Sequence, residues 1–266
     1  MAEAVPVFAH PKASIRKLEM DQPWTWLAKG WKDLRSQPTV GLTYGVLAAI
    51  TGYLVTAGLF ALDMVYLILP LMAGFLIIGP ILTVGIYEVS RRLELGQSTT
   101  LGDALGAFSR NLSQLALMGV ALMLLMFLWA RIAALLFFLY FGMDPPSFEN
   151  LFVETFLSSG SWKFLVLGTG IGGVLSFLAF SISVISIPML LDHPEMNVIE
   201  AIATSFKSVQ INPGAMLLWA GLIVAFSLVG LVTLYLGLIV TLPLIGHATW
   251  HAYRDVVQLD PIEVTD

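Results

Sequence analysis

Between Lys207 and Arg254 the chain runs for 46 residues without an Asp, Glu, Lys or Arg, and nearly all of them are apolar. Wound as one helix, that run would be about 70 Å long, while the hydrocarbon core of a bilayer is about 30 Å thick. It has to cross a membrane twice. Further charge-free runs cover 36–62, 64–87, 111–130 and 164–191, each long enough for one crossing. The pattern predicts an all-α, polytopic membrane helix bundle of six transmembrane spans.

The orientation follows from Lys and Arg. Lys12, Arg16, Lys17, Lys29, Lys32 and Arg35 precede the first span, and Arg91, Arg92 and Arg110 lie between the second and third. Lys207 separates the fourth from the fifth, and Arg254 follows the sixth. Six crossings put all of these on one side. The other side receives Lys163 as its basic loop residue, against Asp63, Asp144, Glu149 and Glu154. Both termini are therefore expected in the cytoplasm, with residues 142–162 on the opposite face. Charges sorted by side make the net charge of −5 no pointer to nucleic acid. Without cysteine the chain has no disulfide, thiolate metal site, covalent c-type haem or cysteine nucleophile. The first residues lack the pattern of a cleaved signal peptide, so the first span is expected to direct insertion.

Three segments before spans resemble one another. Trp31-Lys32-Asp33-Leu34 precedes Pro38, and Phe206-Lys207-Ser208-Val209 precedes Pro213 at the same spacing. Phe108-Ser109-Arg110, with Leu112 and Leu115, takes the middle place. Pro80 and Pro243 precede Tyr87-Glu88 and Trp250-His251 alike, with Pro188 as the middle counterpart. The reading is three units over about 20–92, 100–192 and 197–258, each a cytoplasmic amphipathic helix plus two spans. They form one membrane domain, 20–258, between tails at 1–19 and 259–266.

In the first surface helix Asp21 can cap, Pro23 suits the first turn, and Trp24, Leu27, Trp31 and Leu34 are expected to form an apolar stripe that buries into the headgroup boundary or against the bundle. Lys29, Lys32 and Arg35 around it suit an anionic leaflet, so the bilayer is itself a partner. Across the membrane, Asp144 before Pro145-Pro146 can start a short lid helix with Phe148, Leu151, Phe152 and Phe156 as its apolar face. Gly168, Gly170 and Gly172 permit close helix packing.

Ionisable residues inside a membrane are costly and mark candidate sites. Arg131, about 27 Å along the third span, can snorkel, pair with Glu149 or Glu154, or bind an anion. Glu88 ends the second span and shares a helical face with Arg91 and Arg92, as an interfacial ion pair would. His247 and His251, just before Arg254, lie four apart on one face. That is metal- or haem-ligand spacing if Glu88 or His193 converges with them, and equally the composition of a membrane-boundary belt. The expectation is boundary histidines without metal or other cofactor. There is no HExxH, Gly-rich phosphate loop or GxSxG motif, so no enzyme is expected.

Asp21-Gln22-Pro23-Trp24-Thr25-Trp26-Leu27, Tyr87-Glu88-Val89-Ser90-Arg91-Arg92, Ser186-Ile187-Pro188-Met189-Leu190-Leu191-Asp192 and Gly246-His247-Ala248-Thr249-Trp250-His251-Ala252-Tyr253-Arg254 resemble a bacterial family of uncharacterised predicted integral membrane proteins. Some members carry a cytochrome c oxidase label. The resemblance implies the bacterial inner membrane. A catalytic haem-copper subunit needs more histidines on more helices than the four here, of which His10 lies outside the spans. The label would then fit an accessory or assembly role. Two functions are expected: a non-enzymatic accessory, assembly or scaffold component of a membrane complex, self-association included, or a transporter or channel for an uncharged or lipid-like substrate. The prolines at 70, 80, 188 and 243, as helix interruptions, speak for the second.

Overall fold

The computed structural model describes residues 13–142 and 161–259. Strand β1 (Ala13–Ile15) leads into α1 (Gln22–Ser36) and α2 (Pro38–Ala61); the chain turns at Val65–Leu67 into α3 (Ile68–Leu82) and α4 (Val84–Glu94). Next come α5 (Leu101–Gly106), a 3-10 stretch Ala107–Asn111, and α6 (Leu112–Phe141). Then follow α7 (Ser161–Ser183), α8 (Ser186–Asp192), α9 (Val198–Ile211), α10 (Pro213–Val232), α11 (Leu238–Val256) and β2 (Val257–Leu259). Strands β1 and β2 pair antiparallel, Ser14 opposite Gln258, so both ends of the described chain meet at one end of the bundle, here called the polar end.

Among the described residues five helical stretches are long and apolar enough to cross a membrane: Pro38–Ala61, Val65–Glu94, Leu101–Phe141, Trp162–Asp192 and Pro213–Val232. Helix α11, the sixth expected span, is not among them, because its second half carries His247, Thr249, His251, Tyr253, Arg254 and Asp255. It nevertheless runs antiparallel to α2. The Tyr235 hydroxyl lies 2.7 Å from Thr56 Oγ1 near the far end, Gly45 faces Ile239, and Gly41 faces Pro243 and His247. The glycines bring the two backbones together where a side chain would hold them apart.

The prolines interrupt less than expected. Pro70 sits in the first turn of α3, and Pro243 lies inside the unbroken α11. A break does follow Pro80, at Thr83, and another at 184–185 precedes Pro188.

Short helices pass into long ones through single residues of matching backbone shape: Gln37 (φ −135°, ψ 71°), Asn111 (φ −148°, ψ 59°) and Asn212 (φ −120°, ψ 52°). Each hinge carboxamide holds the chain leading into another short helix. Gln37 accepts from the Thr99 N–H at 3.0 Å, just before α5. Asn111 donates to the Met196 carbonyl at 3.2 Å, just before α9. Asn212 accepts from the Leu18 N–H at 2.8 Å and donates to the Arg16 carbonyl at 3.0 Å, just before α1. The three grips form a closed cycle. By hinge position, Leu105 rather than Phe108 stands where Trp31 and Phe206 stand, and all three are exposed.

At the polar end, α4, α8 and α11 meet at the centre. Ile86 packs on Gly246, the Tyr253 hydroxyl donates to Asp192 at 2.9 Å, and Arg254 pairs with Glu94 at 3.1 Å. Helix α1 lies across α11 with Pro23, Trp26, Leu27, Gly30 and Leu34 inward. Of the expected stripe, Leu27 and Leu34 pack against the bundle, while Trp24 and Trp31 face away from it; Trp26 is fully buried with its ring edge-on to Trp219 at 5.7 Å. Gly30 sets this orientation, because its missing side chain lets α1 settle on Ala248. Asp21 precedes α1 without a side-chain capping bond.

Candidate functional site

Two features are candidates. The first is a polar cluster under α1. Ser90 donates to Asp33 Oδ2 at 2.7 Å and lies 2.8 Å from His247 Nδ1. A hydroxyl has one proton, here committed to the carboxylate, so the imidazole is the donor to Ser90. His247 Nε2 is then a bare acceptor, fully buried and without a partner among the described residues. His251 Nε2 reaches the same Asp33 oxygen at 2.8 Å. Burial pushes the Asp33 carboxyl up, but hydrogen bonds from His251 and Ser90 outweigh it and hold the carboxyl below its ordinary range. The order is wrong for a nucleophile. In a hydrolytic triad the imidazole stands between serine and acid, whereas here the buried serine stands between acid and imidazole and gives its proton to the acid.

Neighbouring pairs fasten the same end. Asp255 takes Gln22 Nε2 and Trp26 Nε1 at 2.9 Å and Lys29 Nζ at 3.2 Å. Glu88, almost wholly buried, takes Arg91 and Arg92 at 2.8 Å and Arg110 at 4.0 Å. Arg254 pairs with Glu94 and with Asp192. His193 lies 3.4 Å from Asp192 and 3.1 Å from Glu195. The hydrogen bond to Asp192, opposed by burial and reinforced by Glu195, lifts His193 above the ordinary histidine range.

The structure therefore places the sequence candidates differently. His247 and His251 are interior members of a network rather than belt residues facing lipid headgroups, because α1 covers that face of α11. Glu88 is committed to three arginines and His193 to two carboxylates, so neither converges on the histidine pair. Among the described residues no group of three or more His, Cys, Asp or Glu is placed to hold a metal ion. Arg131 is exposed on α6; its expected partners Glu149 and Glu154, and the expected lid from Asp144 to Phe156, lie outside the described residues. Asp33, Ser90 and Asp255 were not singled out from sequence, since each looks like an ordinary polar residue at a helix end.

The second feature is a cavity of about 670 Å³, partly open to the surface of the bundle, walled by α3, α6, α7, α10 and α11. On α7 its lining runs from Phe164 to Ser183, about 30 Å of helix and so about the thickness of a bilayer core. Among the described residues no Asp, Glu, Lys, Arg or His lines it. Near its far end Tyr66 stacks on Phe137 at 5.4 Å, and Trp129 donates to the Pro70 carbonyl at 2.7 Å. Near its polar end stand the hydroxyls of Thr83, Tyr87, Ser183 and Thr249. Gly79, Gly168, Gly173 and Gly221 line it, and a Cβ built on any of them meets nothing within 4 Å. Within this chain Gly168 and Gly170 have open space beside them and no close helix neighbour. Gly172 does approach a neighbour, the Trp129 ring.

Residues 68–192 match the family model described as predicted integral membrane protein (DUF2189). The matched stretch holds the Tyr87–Arg92 and Ser186–Asp192 strings, and the resemblance to an uncharacterised family of integral membrane proteins holds. No curated protein and no solved structure matches the chain. Family and helices together make this a multi-pass integral membrane protein.

Proposed function

We propose that the chain is a six-span protein of the bacterial inner membrane, with cytoplasmic termini, that takes an uncharged, lipid-like molecule into its bundle and moves or presents it without chemical change. The observation that carries this reading is the uncharged cavity of bilayer depth. Ions would lose hydration there with no opposite charge among the described lining residues to replace it, whereas an apolar chain loses nothing. A charge-free cavity also speaks against coupling to protons or ions.

Six crossings are supported by the pairing of β1 with β2, which requires an even number, and by the course of α11 along α2. The three-unit reading is supported by the shared hinge geometry at Gln37, Asn111 and Asn212. Because the chain has no cysteine, labelling is free of background. A membrane-impermeant maleimide added from outside is expected to label Ser158→Cys and to leave Ser14→Cys unlabelled in intact cells; the reverse would overturn the orientation.

The cavity reading is tested by filling it. Gly173→Leu with Gly221→Leu puts two side chains into open space. The double variant should fold with unchanged or higher thermal stability and co-purify with at least about tenfold less lipid-like material by native mass spectrometry, a change of about 1.4 kcal/mol in binding. Undiminished bound material in a folded double variant would sink the reading.

A second reading, an accessory or assembly component beside another membrane complex, a respiratory one included, is supported by Trp24 and Trp31. They are 55% and 43% exposed on α1, with Arg35 over the Trp31 ring at 5.7 Å. Such aromatic and arginine pairs suit a protein partner as well as a headgroup layer.

A further inference from the structure

We propose that the molecule held in the cavity is a neutral long-chain lipid whose head is a hydroxyl, seated among Thr83, Tyr87, Ser183 and Thr249 at the polar end. This deepens the cavity reading and rests on it. The argument begins with charge. A carboxylate or phosphate inside this wall would have neither a cation nor a histidine beside it among the described residues, and an unpaired buried charge is far costlier than a buried neutral polar group. Fatty acids and phospholipid headgroups are thereby excluded from the interior, and the head that enters is uncharged.

Hydrogen-bond accounting narrows it further. Thr83 Oγ1 donates to the Pro80 carbonyl at 2.8 Å, Ser183 Oγ to the Ala179 carbonyl at 2.6 Å, and Thr249 Oγ1 to the Ile245 carbonyl at 2.8 Å. With their protons spent inside their own helices, these three oxygens face a ligand only as acceptors. Tyr87 differs. Its hydroxyl lies 3.5 Å from the Pro80 carbonyl, at the limit of a hydrogen bond, so of these four protons it is the one most easily redirected to a ligand. One end of the cavity therefore offers three acceptors and one donor. An alcohol, which donates once and accepts as well, matches both kinds. A ketone, ester or ether uses the single donor alone, and a hydrocarbon uses neither.

The far end completes the fit. Tyr66, Trp129, Phe137 and Phe164 give an aromatic wall, with the Trp129 N–H already satisfied by Pro70. Thr169, Ser176 and Ser227 also line the cavity, but singly and outside the polar-end group of four. The molecule lies along the bundle with its hydroxyl toward the polar end and its chain toward the far end.

Photo-crosslinking of the full-length protein in phosphatidylcholine vesicles tests this with three diazirine probes of one chain length: a primary alcohol, its methyl ether and its carboxylic acid at pH 8. The alcohol is expected to label α3, α7 and α10 peptides, with the ether roughly three- to tenfold weaker and the acid weaker still. Tyr87→Phe should bring the alcohol down to the level of the ether and leave the ether unchanged. Thr249→Val, which keeps the side-chain shape, should weaken the alcohol selectively and serves if Tyr87→Phe fails to fold. Equal labelling by alcohol and ether, or preference for the acid, would overturn the hydroxyl head and leave the cavity reading standing. Labelling that is absent for all three probes, or unaffected by Gly173→Leu with Gly221→Leu, would overturn the cavity reading itself.

Discussion

Gly30→Val is expected to detach α1 from the bundle and to give one of the largest losses of stability available from a single substitution. A Cβ at position 30 would lie 2.7 Å from the Ala248 amide nitrogen and 3.0 Å from its Cα. Those are backbone atoms, and they cannot swing aside as the end of a side chain can. Overpacking that side chains can absorb costs about 1–3 kcal/mol, so a clash against backbone belongs at or above the top of that range. Separation of α1 from α11 would also strip Trp26 of its burial against Trp219 and break the bonds from Gln22, Trp26 and Lys29 to Asp255. Asp33 would leave His251 and Ser90 on the same movement. Thermal unfolding in detergent and protease sensitivity near residue 37 read the outcome. Gly30→Ala should fall between wild type and Gly30→Val, because a Cβ is already too much. A Gly30→Val protein as stable and as protease-resistant as wild type would show that α1 is not held by this contact.

Gly30 also shows where sequence reasoning stops. Hydrophobic periodicity put Trp24 and Trp31 on one stripe with Leu27 and Leu34, facing headgroups or the bundle, because large aromatic residues weigh heavily in it. The close approach at Gly30 turned the helix so that Trp26 and Leu27 go inward instead. A glycine contributes nothing to periodicity, although its absent side chain decides which neighbour comes near. The same holds for α7. Small residues in a membrane helix are legible as a stripe, but whether they meet a neighbour, as Gly172 meets Trp129, or border empty space, as Gly168 and Gly173 do, depends on the other helix.

Hydropathy served well where lipid is the solvent. The charge-free runs 36–62, 64–87, 111–130 and 164–191 fall on α2, on α3 with the start of α4, on α6, and on α7 with α8. It served poorly for α11, whose polar half is surrounded by protein rather than by lipid or water. His247 and His251 looked like boundary residues because sequence gives their depth but not their cover. Their actual partners, Asp33 and Ser90, lie on helices distant in sequence, and no spacing rule connects them. The hinge residues fall between these cases. Pro38 and Pro213 were visible, while the middle hinge at Asn111 has no proline after it and was read three residues out of register.

Glu88→Gln is the second substitution expected to act strongly, through charge instead of volume. The Glu88 side chain is 3% exposed, and its two oxygens take Arg91 and Arg92 at 2.8 Å while Arg110 stands 4.0 Å away. Glutamine keeps the shape and removes the charge that lets three guanidinium groups share this place. Arg92 retains Asp103 at 3.0 Å, and Arg110 retains the Leu191 carbonyl at 3.1 Å. Arg91, 15% exposed, keeps no close ion pair among the described residues. Removing one partner of a buried ion pair costs about 3–5 kcal/mol, and the partial exposure of the arginines places the loss near the lower figure. The effect should be coupled rather than additive. Arg91→Met, made in the Glu88→Gln background, removes the stranded charge and should restore stability, whereas in the wild-type background it should reduce it. Thermal unfolding of the four proteins in one detergent closes the cycle. Additive losses would mean that Glu88 acts through packing alone, and that the arginine cluster does not hold α4 in the centre of the polar end.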